Sequence, residues 1–123
     1  MPYLNDYILD AALSKLDTEA NRLDVCTQEP ATYTEATSTY TRGNKTSLSV
    51  GAPADRTPNG RKVTVAAFSD GAITANGTVS HYGVSDTTNT RLLAATSLSA
   101  SQAVTSGNTF SMAAFDIGIP DAV

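Results

Sequence analysis

The tightest constraint on this chain is a shortage of core material. Of its 123 residues only 24 are Leu, Ile, Val or Phe, whereas 30 are Ser or Thr and 18 are Ala. A share of about one fifth is the floor for a self-sufficient globular core. Against disorder stand a net charge of only −4 and the five Tyr and three Phe residues, which can bury large surfaces. The length suits one domain, and that domain has a thin core. Thr fits the pleated, half-buried surface of a sheet, so the composition predicts β structure with polar outer faces.

The same arithmetic excludes several functional classes. A single Cys (Cys26) rules out an internal disulfide, and a single His (His81) leaves no His cluster for a zinc module. Residues 1–16 carry Asp6 and Asp10 with no basic n-region. The longest uncharged stretch, 92–115, is broken by eight Ser or Thr residues. Neither reads as a signal peptide or a membrane span. A pI near 4.6 argues against nucleic-acid binding through phosphate neutralisation.

Along the chain, Leu4, Tyr7, Ile8, Ala11, Ala12 and Leu16 recur at three- and four-residue spacing. The spacing predicts an amphipathic helix of about three to four turns. Its Leu4/Tyr7/Ile8 stripe is expected to close the core, with an interface to a neighbouring subunit as the alternative. Residues 22–27 alternate like a short strand, and 31–40 have room for one helical turn. The Gly43-Asn44, Ala52-Pro53 and Pro58-Asn59-Gly60 pairs and triplet mark turns. Residues 36–62 therefore read as a basic, turn-rich arm or loop, a candidate to reach a partner.

From Arg61 onward short strands follow at intervals of ten to fifteen residues, with a turn placed at Asp70-Gly71. In the last expected strand, 108–119, Phe110 and Met112 share one parity and Phe115, Ile117 and Ile119 the other, so the apolar face switches near Ala113-Ala114, through a β-bulge or burial of both faces. The fold expected is mainly β (α+β): an N-terminal amphipathic helix followed by an antiparallel β-sandwich, Ig-like or jelly-roll-like. Its parts are 1–35 (helix and short strand), 36–62 (arm) and 63–123 (sandwich body), all in one domain.

Charge is segregated along these parts. Residues 1–35 carry −5, 36–62 carry +4 and 63–123 carry −3. Arg42, Lys45, Arg56, Arg61 and Lys62 form the basic middle and are the candidate partner-docking residues. Catalytic chemistry finds little footing. His81 lies inside an expected strand without a motif around it, and Cys26 lacks a Cys-x-x-Cys context. Asp6, Asp10, Asp17 and Asp24 fit the exposed face and end of the helix. The reading is of a non-enzymatic protein with no metal and no cofactor.

Several phrases of the β half are familiar: Gly60-Arg61-Lys62-Val63-Thr64-Val65-Ala66, Asp86-Thr87-Thr88-Asn89-Thr90-Arg91-Leu92-Leu93-Ala94 and Phe115-Asp116-Ile117-Gly118-Ile119-Pro120-Asp121. With Asn21-Arg22-Leu23-Asp24-Val25-Cys26 and Val104-Thr105-Ser106-Gly107-Asn108-Thr109-Phe110 they span most of the chain. The sequence resembles a family of small virion proteins of tailed bacteriophages. The resemblance implies a capsid decoration (cement) protein on the outer surface of the phage head, made in the host bacterial cytoplasm. Its implied partners are the major capsid protein and copies of itself, with no nucleic acid and no membrane. A neck, collar or tail accessory protein is the alternative. A carbohydrate- or receptor-binding module on the virion, with Tyr33, Tyr40 and Tyr82 as its aromatic platform, is another.

Overall fold

A computed structural model of the protein describes residues 5–57 and 59–120. Leu4, one of the three stripe residues, lies outside them. The helix α1 spans Asp6–Glu19. Asn5 caps it, its side-chain Oδ1 accepting from the Tyr7 N–H at 2.8 Å, and Asp6 in the first turn complements the helix dipole. At the other end Ala20 turns extended while its N–H still donates to the Leu16 carbonyl.

The inward face of α1 is not the expected one. Leu9 and Leu13 are buried, whereas Tyr7 is 77% and Ile8 50% exposed, and Ala11 and Ala12 are exposed too. The helix has apolar residues on two opposite sides, and spacing alone does not rank them. An ion pair helps to orient the choice: Arg61 donates through Nε to Asp10 Oδ1 at 2.7 Å and through Nη2 to Oδ2 at 3.2 Å. The same guanidinium also binds Asp55, tying the helix to the strand that carries Arg61.

Among the described residues nine strands follow the helix, all paired antiparallel. They are β1 (Arg22–Cys26), β2 (Thr41–Thr46), β3 (Ala54–Asp55), β4 (Arg61–Val65), β5 (Phe68–Ile73), β6 (Gly77–Asp86), β7 (Arg91–Val104), β8 (Thr109–Met112) and β9 (Phe115–Ile119). One turn of π-helix, Glu35–Thr39, precedes β2. Six strands make one sheet in the order β7-β6-β1-β2-β5-β8, and three make a second in the order β3-β4-β9. The large sheet curls into half of a barrel.

β1 lies in the middle and is buried on both faces, so its alternation does not separate inside from outside. Asp24, expected on an exposed surface, is wholly buried there. Its carboxylate accepts from Arg22 Nε and Nη2 at 2.7 and 2.9 Å and from Thr41 Oγ1 at 2.7 Å. A buried charge persists only with such partners. The pairing with Asp24 in turn raises the Arg22 pKa.

Two turn signals fall inside strands. Gly43-Asn44 belongs to β2, an inner strand paired with both β1 and β5. The segment expected as an arm therefore builds the sheet interior over 41–46. Gly43 is there because a Cβ would lie 2.7 Å from the Ala72 carbonyl oxygen. Asp70-Gly71 lies in β5 at a bulge against β8, between the Phe68–Met112 and Gly71–Phe110 pairs. A Cβ at Gly71 would collide with the Phe110 ring.

The switch of parity at Ala113-Ala114 marks a change of sheet. Phe110 and Met112 leave the large sheet with β8, Phe115 and Ile117 enter the small one with β9, and all four pack on one core. That core is built on Leu23, Val25, Val65, Ile73, Val79, Tyr82 and Val84. Tyr82 of the large sheet meets Phe115 of the small one with ring centroids 4.9 Å apart.

Candidate functional site

The sheet order contains an unfinished closure. β7 and β8 are the two outer strands of the six-stranded sheet, yet a short turn, residues 105–108, joins them directly. The Asn108 N–H donates to the Thr105 carbonyl at 3.2 Å, and Ile73 N–H and carbonyl bind Asn108 and Gly107 at 2.8 and 3.0 Å. Pairing of β7 with β8 would close a six-stranded barrel. No such pairing forms, and among the described residues each strand keeps one unpaired edge.

Between these edges lies a trough of about 700 Å³. Val25, Ile73, Val79 and Tyr82 form its floor, and Leu98, Val104, Phe110, Met112 and Phe115 stand half-buried in its walls. The remaining lining is Ser, Thr, Ala, Asn and Gln, and no Asp, Glu, Lys, Arg or His contributes. Tyr82 is the one titratable group in it, and burial pushes its pKa up, so the phenol stays neutral. The register of β6 with β7 shifts between the Val79–Gln102 and His81–Ser97 pairs, leaving Leu98–Ser101 as a bulge beside the trough. The arrangement can bind an uncharged, elongated molecule through apolar contact and backbone hydrogen bonds.

The candidate docking bases are dispersed, and three of the five pair with carboxylates of the chain. Arg61 holds Asp10 and Asp55, Lys62 pairs with Asp116 at 2.9 Å, and Lys45 pairs with Asp70 at 3.0 Å while lying 5.9 Å from the Phe68 ring centroid. Asp70 is shifted below the usual carboxylate range by Lys45, and Asp116 by Thr64 and then Lys62. Arg42 donates to the Thr41 carbonyl at 2.8 Å and Arg56 to the Asn59 carbonyl at 3.0 Å. Among the described residues neither of these two has a carboxylate partner.

The aromatic platform does not assemble either. Tyr82 lies in the trough, whereas Tyr33 and Tyr40 flank the π-helical turn, where Tyr40 Oη donates to Glu35 at 3.3 Å. His81 has a local partner, its Nδ1 lying 2.8 Å from Ser80 Oγ, which also reaches the Thr27 carbonyl at 3.0 Å. Cys26 is buried against the Ala36 carbonyl, and burial pushes its thiol up to about 12. Among the described residues no group of three or more His, Cys, Asp or Glu could hold a metal ion, and no helix is long and apolar enough to cross a membrane.

The trough escaped sequence reasoning, although its signal was present. The uncharged stretch 92–115 supplies most of its lining, and in the sequence it reads as strands too rich in Ser and Thr for a membrane span, with nothing that marks a cavity. No protein family, curated protein or solved structure matches the chain.

Proposed function

We propose that this protein is a non-enzymatic structural component of a tailed-bacteriophage virion. In this reading it is a capsid decoration (cement) protein that binds the outside of the major capsid lattice and stabilises the head. The supporting observation is the outer face of α1. Among the described residues Tyr7 and Ile8 are the large apolar side chains left exposed, and exposed Ala11 and Ala12 continue the patch. Apolar surface of this kind is characteristic of a binding face. A thin-cored protein also gains stability by mass action when a lattice binds only its folded form. Arg42 and Arg56 are the bases best placed to add salt-sensitive contacts with acidic patches on the shell. The contact between Tyr82 and Phe115 across the two sheets supports the finer description of the body as a sandwich.

The test is the copy number of the chain per major capsid subunit in purified particles. A ratio near one, or a simple fraction repeated over the shell, is expected. About a dozen copies or fewer would instead indicate a ring at the neck or tail. The double substitution Tyr7→Ser and Ile8→Ser should leave the chain folded and release it from particles. A second reading, a glycan-binding module, is favoured by the aromatic and hydroxyl lining of the trough. Binding of glycans by the isolated chain would promote it.

A further inference from the structure

The two unpaired edges around the trough belong to the least protected strands of the molecule. Folded proteins usually blunt an exposed edge with charge or proline, because free N–H and C=O groups invite another strand. Here 92–115 contains neither a charged residue nor a proline, and Ser99–Ala103 are all exposed. The walls add five large apolar side chains that the chain itself buries only in part. An occupant must therefore be extended, so as to use both rows of backbone groups, and uncharged, since the lining offers no counter-ion to a buried charge.

This chain carries a segment of that chemistry. Every other described strand holds at least one charged residue: Arg22, Arg42, Asp55, Arg61, Asp70, Asp86 and Asp116 are examples from β1, β2, β3, β4, β5, β6 and β9. β8, β7 beyond Arg91 and β6 before Asp86 are free of charge, and because β6 has both edges paired, β7 and β8 are the uncharged strands with an edge to offer. We propose that the trough is a self-association site, closed by the uncharged edge strands β7 and β8 of a second copy of this chain. Each of these strands sets its free edge against a free edge of the other copy and covers the half-buried wall residues, completing the closure that one copy leaves open. The site uses residues distinct from the α1 face, so it does not depend on the decoration reading.

Sedimentation equilibrium of the full chain, at about 10 to 100 µM, reads the association directly. The expected result is a mass of two or more copies of the 12.8 kDa chain. The substitutions Ser101→Lys and Ala103→Lys, at exposed positions of the edge, should raise the dissociation constant by about tenfold or more. Thr88→Lys, in the exposed 87–90 turn, should leave the assembly unchanged. If the lysine variants fail to fold, hydrogen exchange of the unsubstituted chain decides: amides of 97–104 should be protected when concentrated and lose protection on dilution. A monomer over the whole range, assembly unaffected in folded lysine variants, or exchange independent of concentration would each overturn the proposal.

Discussion

The strands around β1 and the strands around the trough come from one composition and are finished in opposite ways. β1 has a neighbour on each edge and side chains on both faces; there Leu23, Asp24 and Cys26 are all wholly buried. β7 and β8 have one neighbour each, and Leu98, Val104, Phe110 and Met112 stay half-buried although no charge competes for their surroundings. Charge and packing thus go together. The ion pairs Arg22–Asp24, Arg61–Asp10 and Lys62–Asp116 hold the half that is already enclosed, while the uncharged half is left to be enclosed by something else.

The largest expected contrast is in thiol chemistry. Cys26, with a pKa of about 12 and no exposure, should resist alkylation at pH 8 until the chain unfolds. A cysteine placed in the trough wall by Ser111→Cys should react faster by roughly a thousandfold or more, on thiolate fraction alone. Equal rates would erase the distinction between the two regions.

Core truncation comes next. Leu23→Ala should cost about 3 to 4 kcal/mol in urea unfolding, because the cavity is closed on all sides. Leu98→Ala, half-buried beside the trough, should cost about 1 kcal/mol or less. Similar losses would mean that the trough is as well packed as the centre.

Asp24→Ala should cost about 3 kcal/mol, since it strips Arg22 and Thr41 of their common acceptor. The figure belongs at the low end for a buried pair because the Arg22 side chain keeps 22% of its exposure. Double substitution with Arg22→Met should recover part of it.

The smallest effect is that of acid. Asp70, Asp86 and Asp116 have folded pKa values below their ordinary 3.8, Asp86 chiefly through the Asn89 side chain. A depressed carboxylate stabilises the fold above its unfolded pKa, and that contribution is lost as pH falls through the folded value. Stability should therefore be flat from pH 7 to about 5 and drop below pH 4, and Asp86→Asn should flatten the drop. None of these carboxylates lines the trough, so its hydrogen-exchange pattern should change last.

Much of the fold was legible where periodicity and local chemistry agree. The helix, β1, β4 and β6 follow from residue spacing and turn residues, whereas the parity switch at Ala113-Ala114 fits a bulge within one strand as well as the passage to another sheet that the fold makes there. β2 and β5 were not legible. Gly43-Asn44 and Asp70-Gly71 carry turn chemistry, and only a neighbouring strand's close approach or a bulge explains glycine there. The inward face of α1 was misjudged because two apolar stripes satisfy the same spacing, and the choice was made by Leu9, Leu13 and the Arg61–Asp10 pair. The five bases were legible as a charge block, but their partners lie 6 to 54 positions away for those that are paired.

By itself, the sequence determined a small, thin-cored, β-rich chain with one N-terminal helix, because composition and local periodicity are properties of neighbours along the chain. Tertiary structure alone decided that Asp24 is buried, that the helix turns Tyr7 and Ile8 outward, and that β7 and β8 stay apart around an open trough. Each of these depends on which distant strands meet and at what register, and a residue's environment is fixed only when those contacts exist.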